Sequence, residues 1–213
     1  MISLLVTGGA RSGKSSYAQV RAEGLAGPRT YLATAFRDPA DGEMEARIAR
    51  HRADRAGRGW DTAEVIDDLV AVLPRGGVAL VDCITLWLAG RAMALRWDDA
   101  AVLAEVDRLC AVVAAPPCTL LLVTNEVGSG IVPESAMGRQ FRDLQGWTNQ
   151  RLARAAHEVV LCVCGLPMTV KPPSAAGAGV GGWGMGVGPQ RAPTHPASPG
   201  PRPQPPTPNP QGP

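Results

Sequence analysis

The stretch Ile2-Ser3-Leu4-Leu5-Val6-Thr7-Gly8-Gly9-Ala10-Arg11-Ser12-Gly13-Lys14-Ser15 decides the fold of this chain. Residues 2–7 are mostly apolar and predict a short buried strand, and residues 14–25 have the apolar spacing of a helix. Residues 8–15 match the pattern G-x-x-x-x-G-K-[ST] at every position. A glycine-rich loop that joins a strand to the N-terminus of a helix is the arrangement that holds nucleotide phosphates.

Each residue type in this loop has a chemical reason to be there. Glycine lets the backbone turn its N–H groups toward phosphate oxygens, and the helix N-terminus adds positive partial charge. We expect Lys14 to reach the β and γ phosphates in a catalytic role, and the Ser15 hydroxyl to ligate Mg²⁺. The alternative is a loop that only turns the chain. The flanking strand and helix favour nucleotide binding by Gly8, Gly9, Ala10, Arg11, Ser12, Gly13, Lys14 and Ser15.

Strands and helices are predicted to alternate along the rest of the chain. Apolar runs predict strands at 30–34, 78–81, 118–124 and 159–163, with a short last strand at 168–170. Helical spacing predicts helices at 42–56, 86–95, 100–113 and 135–156, the first of them charged and largely exposed. Apolar strands separated by helices indicate an α/β fold with a mainly parallel sheet covered on both faces.

Composition divides the chain into a body and a tail. Of its 213 residues, 13 of the 20 prolines and 9 of the 25 glycines follow Lys171. Such a segment cannot bury a core, so we predict a globular domain at 1–171 and a disordered Gly/Pro-rich tail at 172–213. A proline-rich segment that binds an aromatic groove is an alternative for the tail.

Charge and cysteine content exclude several classes of protein. The formal net charge is +2, which is too balanced for nucleic acid or an anionic membrane as the main partner. The chain has no run of 18 apolar residues, and its first residues lack the basic region of a signal peptide. Five cysteines without a Cys-x-x-Cys or Cys/His cluster argue against a disulfide framework or a zinc site, and they fit a reducing cytoplasm.

A second candidate site is Asp82, which ends the predicted strand 78–81. In proteins with this phosphate loop, an acid at such a strand end holds Mg²⁺ directly or through water. Asp82 also precedes a predicted helix, where a carboxylate can act as the N-cap. The phosphate loop favours the metal interpretation, and the N-cap remains the alternative.

Histidine is rare in this chain. On a helix, Arg47, His51 and Arg55 would share one face, and two guanidiniums beside an imidazole would keep it neutral and nucleophilic and would hold phosphate oxygens. From the residues alone, a charged and solvated helix face is the favoured alternative for His51. We interpret His157 as a solvated residue at a helix C-terminus, and His195 lies in the tail.

Several segments together resemble one family, the bifunctional adenosylcobinamide kinase / adenosylcobinamide-phosphate guanylyltransferases of cobalamin synthesis. The resemblance runs from the N-terminus to about Lys171. The most specific segments are Thr124-Asn125-Glu126-Val127-Gly128-x-Gly130-Ile131-Val132-Pro133 and Met44-x-x-Arg47-Ile48-x-x-His51. Further matches are residues 8–15, Tyr31-Leu32-Ala33-Thr34-Ala35, Trp60-x-Thr62-x-Glu64, Asp82-Cys83-Ile84-Thr85-Leu86-Trp87-Leu88, Arg142-Asp143 and Asn149-Gln150-Arg151-Leu152-Ala153.

The resemblance implies a RecA-like α/β P-loop fold and a homotrimer. It implies an enzyme that phosphorylates adenosylcobinamide with ATP or GTP and then transfers GMP from GTP to that phosphate through a guanylylated histidine. His51 falls on the position of that histidine. The family's nucleotide contacts fall on residues 8–15 and on Ala33, Thr34, Ala35, Arg52, Ala53, Asp54, Arg55, Glu64 and Asp82. Glu64 and Asp82 are candidates for either a metal contact or a guanine or ribose contact.

Two other functions are compatible with the phosphate loop. The first is a P-loop NTPase or kinase of another small molecule, without a covalent GMP intermediate and with a structural His51. The second is a GTP-binding switch, which is disfavoured because Thr124-Asn125-Glu126 lacks the lysine of the guanine-reading motif Asn-Lys-x-Asp. The sequence identifies neither the residues that bind the corrinoid nor the general base of the kinase step.

Overall fold

The computed structural model describes residues 1–35, 42–65 and 67–173 of the chain. Within the helix at 42–55, the side chains of Glu43, Met44, Glu45, Arg47 and His51 lie outside the description. The predicted tail lies outside the described residues apart from Pro172 and Pro173.

The described residues form strands and helices that alternate along most of the chain. In order they are β1 (Ser3–Gly8), α1 (Lys14–Glu23), β2 (Arg29–Ala33), α2 (Gly42–Arg55), β3 (Trp60–Glu64), β4 (Val78–Asp82), α3 (Ile84–Ala94), α4 (Asp99–Ala114), β5 (Thr119–Val123), α5 (Ala136–Ala155), β6 (Glu158–Val163) and β7 (Leu166–Lys171). No helix in the described ranges is both long enough and apolar enough to cross a membrane.

The strands form one sheet in the order β3-β2-β4-β5-β1-β6-β7. All neighbouring strands are parallel except β6 and β7, which pair antiparallel. The strand that ends at Asp82 is separated from the strand that leads into residues 8–15 by β5 alone. The carboxyl ends of these three strands therefore lie at one edge of the sheet. The predicted α/β P-loop fold is confirmed.

Both faces of the central strands β1, β4 and β5 are buried, which explains their apolar runs. On one face, Leu5 of β1 belongs to a core that includes Leu88, Leu109 and Leu152 from α3, α4 and α5. On the other face, neighbouring residues of β1 belong to a core with Ala18 and Ala22 of α1. Side chains alternate across a strand, so one strand supplies both cores.

Strand β3 is an element that periodicity did not predict. Its sequence Trp60-Asp61-Thr62-Ala63-Glu64 is mostly polar, and all of it except Trp60 is exposed. The strand lies at the edge of the sheet and pairs with β2 alone. An edge strand with charged side chains lacks the apolar alternation of a half-buried strand, and the charges protect the edge from further pairing.

The predicted last strand extends beyond its predicted bounds. It covers Leu166–Lys171 and pairs with β6 through the two-residue turn Cys164-Gly165. Both turn residues have positive φ, 52° and 82°, as a two-residue type I′ hairpin turn requires.

The interpretation of His157 as a solvated helix terminus is wrong. Helix α5 ends at Ala155, and His157 is half-buried just before β6. Its Nδ1 atom lies 2.7 Å from the Ser3 hydroxyl and accepts from the Ser3 backbone N–H at 3.2 Å. His157 therefore joins the beginnings of β1 and β6, a contact between residues 154 positions apart.

Candidate active site

The loop at residues 8–15 leaves β1 and enters α1 with two glycines under close steric constraint. A Cβ atom at Gly8 would lie 2.5 Å from the Cys162 carbonyl oxygen, and Gly8 has a φ of 153°. A Cβ atom at Gly13 would lie 3.1 Å from the Gly165 Cα, and Gly13 has a φ of 89°. The Gly165 N–H donates to the Ser12 carbonyl at 3.0 Å. The β6–β7 hairpin therefore packs against the loop and admits glycine alone at these two positions.

The N-terminus of α1 is built to receive an anion. Its N-cap is Gly13, and within the described residues no side chain caps the first turn and no acid lies in it. The Ser12 hydroxyl is buried in the loop and has no hydrogen-bond partner among the described residues. Free N–H groups, the helix dipole and an unsatisfied hydroxyl fit phosphate oxygens.

Lys14 is buried against the same loop. Its Nζ atom donates to the Gly9 carbonyl at 3.0 Å. Its charge lies near the two buried thiols of Cys83 and Cys162. Burial raises the pKa of both thiols, to about 11 for Cys83, and the positive charge of Lys14 partly offsets that rise. Lys14 therefore lies over the edge of the sheet where β4 and β6 end, as a phosphate-binding lysine must.

Asp82 does not cap the helix that follows it, so the N-cap alternative is wrong. The N-cap of α3 is Cys83, without a side-chain hydrogen bond. The Asp82 carboxylate instead accepts a hydrogen bond from the Tyr31 hydroxyl at 2.9 Å. Burial and then this carboxylate raise the pKa of Tyr31, so the phenol stays a donor. One oxygen of Asp82 is thus fixed by Tyr31, and the carboxylate stays at the edge of the sheet.

Arg55, at the end of α2, is a buried cation with unsatisfied donors. The residue is 5% exposed, and its guanidinium carbon lies 3.4 Å from the centroid of the Tyr31 ring. Its Nε and Nη1 atoms have no hydrogen-bond partner among the described residues. Burial lowers the pKa of this guanidinium. A buried donor without an acceptor costs about 1–3 kcal/mol, so an anionic or carbonyl ligand would stabilise this arrangement.

A cavity of about 750 Å³ lies beside Arg55, and Arg52, Trp60, Thr62 and Glu64 also line it. Arg52 of α2 and Glu64 of β3 form an ion pair in its lining. The Trp60 ring packs edge-on against Tyr31 with the centroids 6.1 Å apart. Ala53 and Asp54 are exposed on α2. Of the residues that the resemblance assigned to nucleotide binding, Arg52, Arg55 and Glu64 therefore line one cavity, and Ala53 and Asp54 do not.

The segment Ala33-Thr34-Ala35 leaves β2 beside the end of β4. The buried Thr34 hydroxyl donates to the Cys83 carbonyl at 2.7 Å, and the Ala33 carbonyl accepts from the Val65 N–H at 2.8 Å. The first bond uses the Thr34 hydroxyl to join the end of β2 to the end of β4, and the second joins β2 to the residue after β3. Ala33 and Ala35 are half-buried at the same edge of the sheet as Asp82.

His51 lies within α2, four residues before Arg55. Its side chain and that of Arg47 lie outside the described part of the chain. The shared helix face of Arg47, His51 and Arg55 therefore stays a prediction. Among the described positions of α2, the exposure expected for this helix is confirmed, with Arg55 as the buried exception.

The donors at this edge fit Mg²⁺. Ser15 is half-buried in the first turn of α1, and Asp82 ends β4, so each offers a hard oxygen. No group of three or more His, Cys, Asp or Glu in the described ranges could hold a metal ion. Mg²⁺ at nucleotide sites takes one or two protein ligands and completes its shell with phosphates and water.

Glu126 also lies at this edge, and sequence reasoning assigned it no function. Glu126 follows β5, and its carboxylate accepts from the Thr7 hydroxyl at 2.8 Å and from the Asn149 amide at 3.0 Å. The motif Thr124-Asn125-Glu126 was the available signal. Its partners lie 119 and 23 residues away, so spacing could not reveal them.

Comparisons with known proteins identify the family of this chain. Residues 4–170 match the model of the family described as cobinamide kinase / cobinamide phosphate guanyltransferase. The chain is 42% identical to the bifunctional adenosylcobalamin biosynthesis protein CobU of Salmonella typhimurium, over 79% of this chain and 99% of that protein. It is 41% identical to CobU of Escherichia coli, with the same coverage, and 39% identical to CobP of Pseudomonas aeruginosa, over 78% of this chain and 96% of that protein. The chain belongs to the cobinamide kinase / cobinamide phosphate guanyltransferase family.

Proposed function

We propose that this protein phosphorylates adenosylcobinamide with ATP or GTP and then transfers GMP from GTP to that phosphate through a guanylylated His51, giving adenosylcobinamide-GDP. Family membership makes the chain a bifunctional kinase and guanyltransferase of cobalamin biosynthesis. The nucleotides, the corrinoid form and the histidine intermediate are the parts proposed here. By the same resemblance we propose a homotrimer, which size-exclusion chromatography with light scattering tests.

The observation that carries the proposal is the buried guanidinium of Arg55. It has donors without partners, and it lies four residues after His51 on α2, beside the cavity lined by Arg52 and Glu64. A buried cation whose donors lack acceptors, four residues after a histidine on the same helix, suits an α-phosphate that a histidine attacks. Arg55 and Arg52 would stabilise the charge that develops on the phosphate oxygens.

In the kinase step the loop residues bind the triphosphate. The N–H groups of residues 8–15 and the Lys14 ammonium hold the β and γ phosphates, and the substrate hydroxyl attacks the γ phosphorus in line with the leaving nucleoside diphosphate. Mg²⁺, when bound at Ser15 and Asp82, supplies charge neutralisation on the phosphates. Ala33, Thr34 and Ala35 would contact the nucleotide from the end of β2.

The transferase step splits GMP transfer into two displacements. The neutral His51 imidazole attacks the α phosphorus of GTP, a nitrogen–phosphorus bond forms, and the bond to the pyrophosphate oxygen breaks with pyrophosphate leaving. An oxygen of adenosylcobinamide phosphate then attacks the same phosphorus, and His51 leaves with the electron pair. Arg52, Arg55 and Glu64 would position the GMP group during both displacements.

Product analysis tests the substrates. The purified full-length protein is incubated with adenosylcobinamide and Mg²⁺, first with ATP and then with GTP, and the corrinoids are separated by liquid chromatography and mass spectrometry. We expect adenosylcobinamide phosphate with either nucleotide and adenosylcobinamide-GDP with GTP alone. Conversion of the corrinoid by neither nucleotide would contradict the proposal and leave a P-loop kinase of another small molecule.

A further inference from the structure

We propose that Glu126 is the general base of the kinase step and takes the proton of the substrate hydroxyl as that hydroxyl attacks the γ phosphorus. The inference rests on the proposed function, because it requires an alcohol as the phosphoryl acceptor. It assigns a catalytic role to a carboxylate that nucleotide binding and GMP transfer do not use.

Glu126 lies against the phosphate loop. It follows β5, which lies between the strand of the loop and the strand of Asp82. The Glu126 backbone N–H donates to the carbonyl of Gly8, the first loop residue, at 3.1 Å. Its Oε1 atom accepts from Thr7, the residue before the loop, at 2.8 Å. Both the backbone and the carboxylate of Glu126 are therefore fixed to the start of the loop.

A buried polar network behind Glu126 holds this carboxylate and also the carbonyl of the preceding residue, Asn125. The Asn149 Oδ1 atom accepts from the Thr124 hydroxyl and from the Gln145 amide, both at 2.8 Å. Two donors on Oδ1 fix the orientation of the Asn149 amide, so its Nδ2 atom points toward Glu126 Oε1, 3.0 Å away. Thr124 and Gln145 are wholly buried, and the Gln145 Oε1 atom has no hydrogen-bond partner among the described residues, so the network carries a cost in stability.

The arrangement leaves the second carboxylate oxygen for a substrate. Oε1 already accepts two hydrogen bonds, and Oε2 accepts none from the described residues. No lysine or arginine in the described ranges forms an ion pair with Glu126, and the side chain is exposed. Asp82 and Glu64 also end parallel strands at this edge. Tyr31 holds one oxygen of Asp82, whose place suits the metal, and Glu64 pairs with Arg52. Glu126 is therefore the carboxylate that can accept a proton.

In the proposed step one bond to the γ phosphorus forms and another breaks. The hydroxyl oxygen forms a bond to the γ phosphorus, and the bond between that phosphorus and the β–γ bridging oxygen breaks, with its electron pair leaving on ADP or GDP. The hydroxyl proton moves to Glu126 Oε2 and then to water after the products leave. Formation of the histidine–GMP bond involves no hydroxyl proton, so that reaction does not need Glu126. A general base contributes about 10²–10⁴-fold to such a step.

The isosteric variant Glu126→Gln separates catalysis from structure. Its amide oxygen can still accept from Thr7 and Asn149, but it cannot accept the proton. We expect kcat for adenosylcobinamide phosphorylation to fall by about 10²–10⁴-fold, with KM for ATP changed by less than about threefold. Labelling of the protein by α-labelled GTP should match the wild type. The matched control is Glu134→Gln, the same change at an exposed glutamate eight residues later, which should keep wild-type kcat.

Several outcomes would overturn the inference. Wild-type kcat in Glu126→Gln would show that the carboxylate only orders the loop. Loss of GMP labelling together with phosphorylation, at an unchanged melting temperature, would assign Glu126 to the nucleotide site of both reactions. If Glu126→Gln fails to fold, Glu126→Asp keeps the charge at shorter reach, and unchanged kcat in that variant would overturn the role. Absence of phosphorylation by the wild type itself would instead contradict the proposed function.

Discussion

The guanidinium carbon of Arg55 lies 3.4 Å from the centroid of the Tyr31 ring. This contact joins the last residue of α2, the helix that carries His51, to a buried strand of the sheet. The contact stabilises the cation through the face of the ring. It uses none of the N–H donors, which lie at the edge of the guanidinium plane. The helix end is thus anchored while the donors stay available to a phosphate.

Removal of the Tyr31 ring should destabilise the protein more than removal of its hydroxyl. Tyr31→Leu loses the stacking on Arg55 and the edge contact with Trp60, and we expect a loss of about 2–4 kcal/mol in the free energy of unfolding. Tyr31→Phe loses the hydrogen bond to Asp82 and should cost about 1 kcal/mol. Urea unfolding measures both. Equal losses in the two variants would show that the ring contact with Arg55 contributes little.

The two lysines of the chain provide a matched pair of variants. Lys14→Ala should lower both phosphorylation and GMP transfer by at least about 100-fold, because both reactions need the triphosphate in the same loop. Lys171 instead donates to the carbonyls of Ala153, Arg154 and Ala156 at the end of α5. Lys171→Ala should therefore cost about 1–2 kcal/mol of stability and leave both turnover numbers unchanged. GMP transfer that survives in Lys14→Ala would indicate a second nucleotide site.

Two neighbouring glycines of the loop should differ in their response to alanine. Gly8→Ala places a Cβ atom 2.5 Å from the Cys162 carbonyl oxygen at a φ of 153°, and we expect a loss of more than about 2 kcal/mol. A Cβ atom at Gly9 meets nothing within 4 Å, so Gly9→Ala should change the melting temperature little. Thermal unfolding compares them. A similar melting temperature for the two variants would contradict the close packing of the β6–β7 hairpin on the loop.

Stability should depend on pH through Glu23, which accepts from the Trp60 indole at 2.8 Å and pairs with Arg58. Burial alone would raise the pKa of Glu23, but these two hydrogen bonds lower it below the ordinary value of 4.5. The folded state therefore binds fewer protons than the unfolded state, so this stabilisation is present above about pH 4.5 and is lost as pH falls through the lowered pKa.

The variant Glu23→Gln tests that sign. It should be less stable than the wild type by about 0.5–1 kcal/mol at pH 7, and the difference should shrink below about pH 4. Urea unfolding at several pH values measures it. A difference that stays constant from neutral to acid pH would show that the charge of Glu23 is not its source.

The sequence predicted the elements whose evidence is local. The apolar runs of β1, β4 and β5 and the loop pattern at residues 8–15 lie within short windows, and the structure confirms them. Strand β3 could not be predicted in this way, because its hydrogen bonds go to a strand about 30 residues earlier while its side chains are polar.

In the candidate site, too, local patterns were predicted and long-range contacts were not. Sequence spacing was compatible with Asp82 as a metal ligand or as an N-cap. In the structure its carboxylate accepts from Tyr31, 51 residues away, and does not cap the helix. The partner of His157 is Ser3, at the other end of the described chain. Local spacing cannot identify such partners, since they meet only when the sheet forms.

One labelling experiment tests whether His51 carries GMP. The wild-type protein, His51→Ala and the control His157→Ala are incubated with α-labelled GTP and Mg²⁺, denatured, and treated with mild acid or alkali. We expect the wild type and His157→Ala to carry label that is lost in acid and survives alkali, as a nitrogen–phosphorus bond should. His51→Ala should take up no label and still phosphorylate adenosylcobinamide. An acid-labile GMP adduct on folded His51→Ala would show that His51 is not the residue that carries GMP.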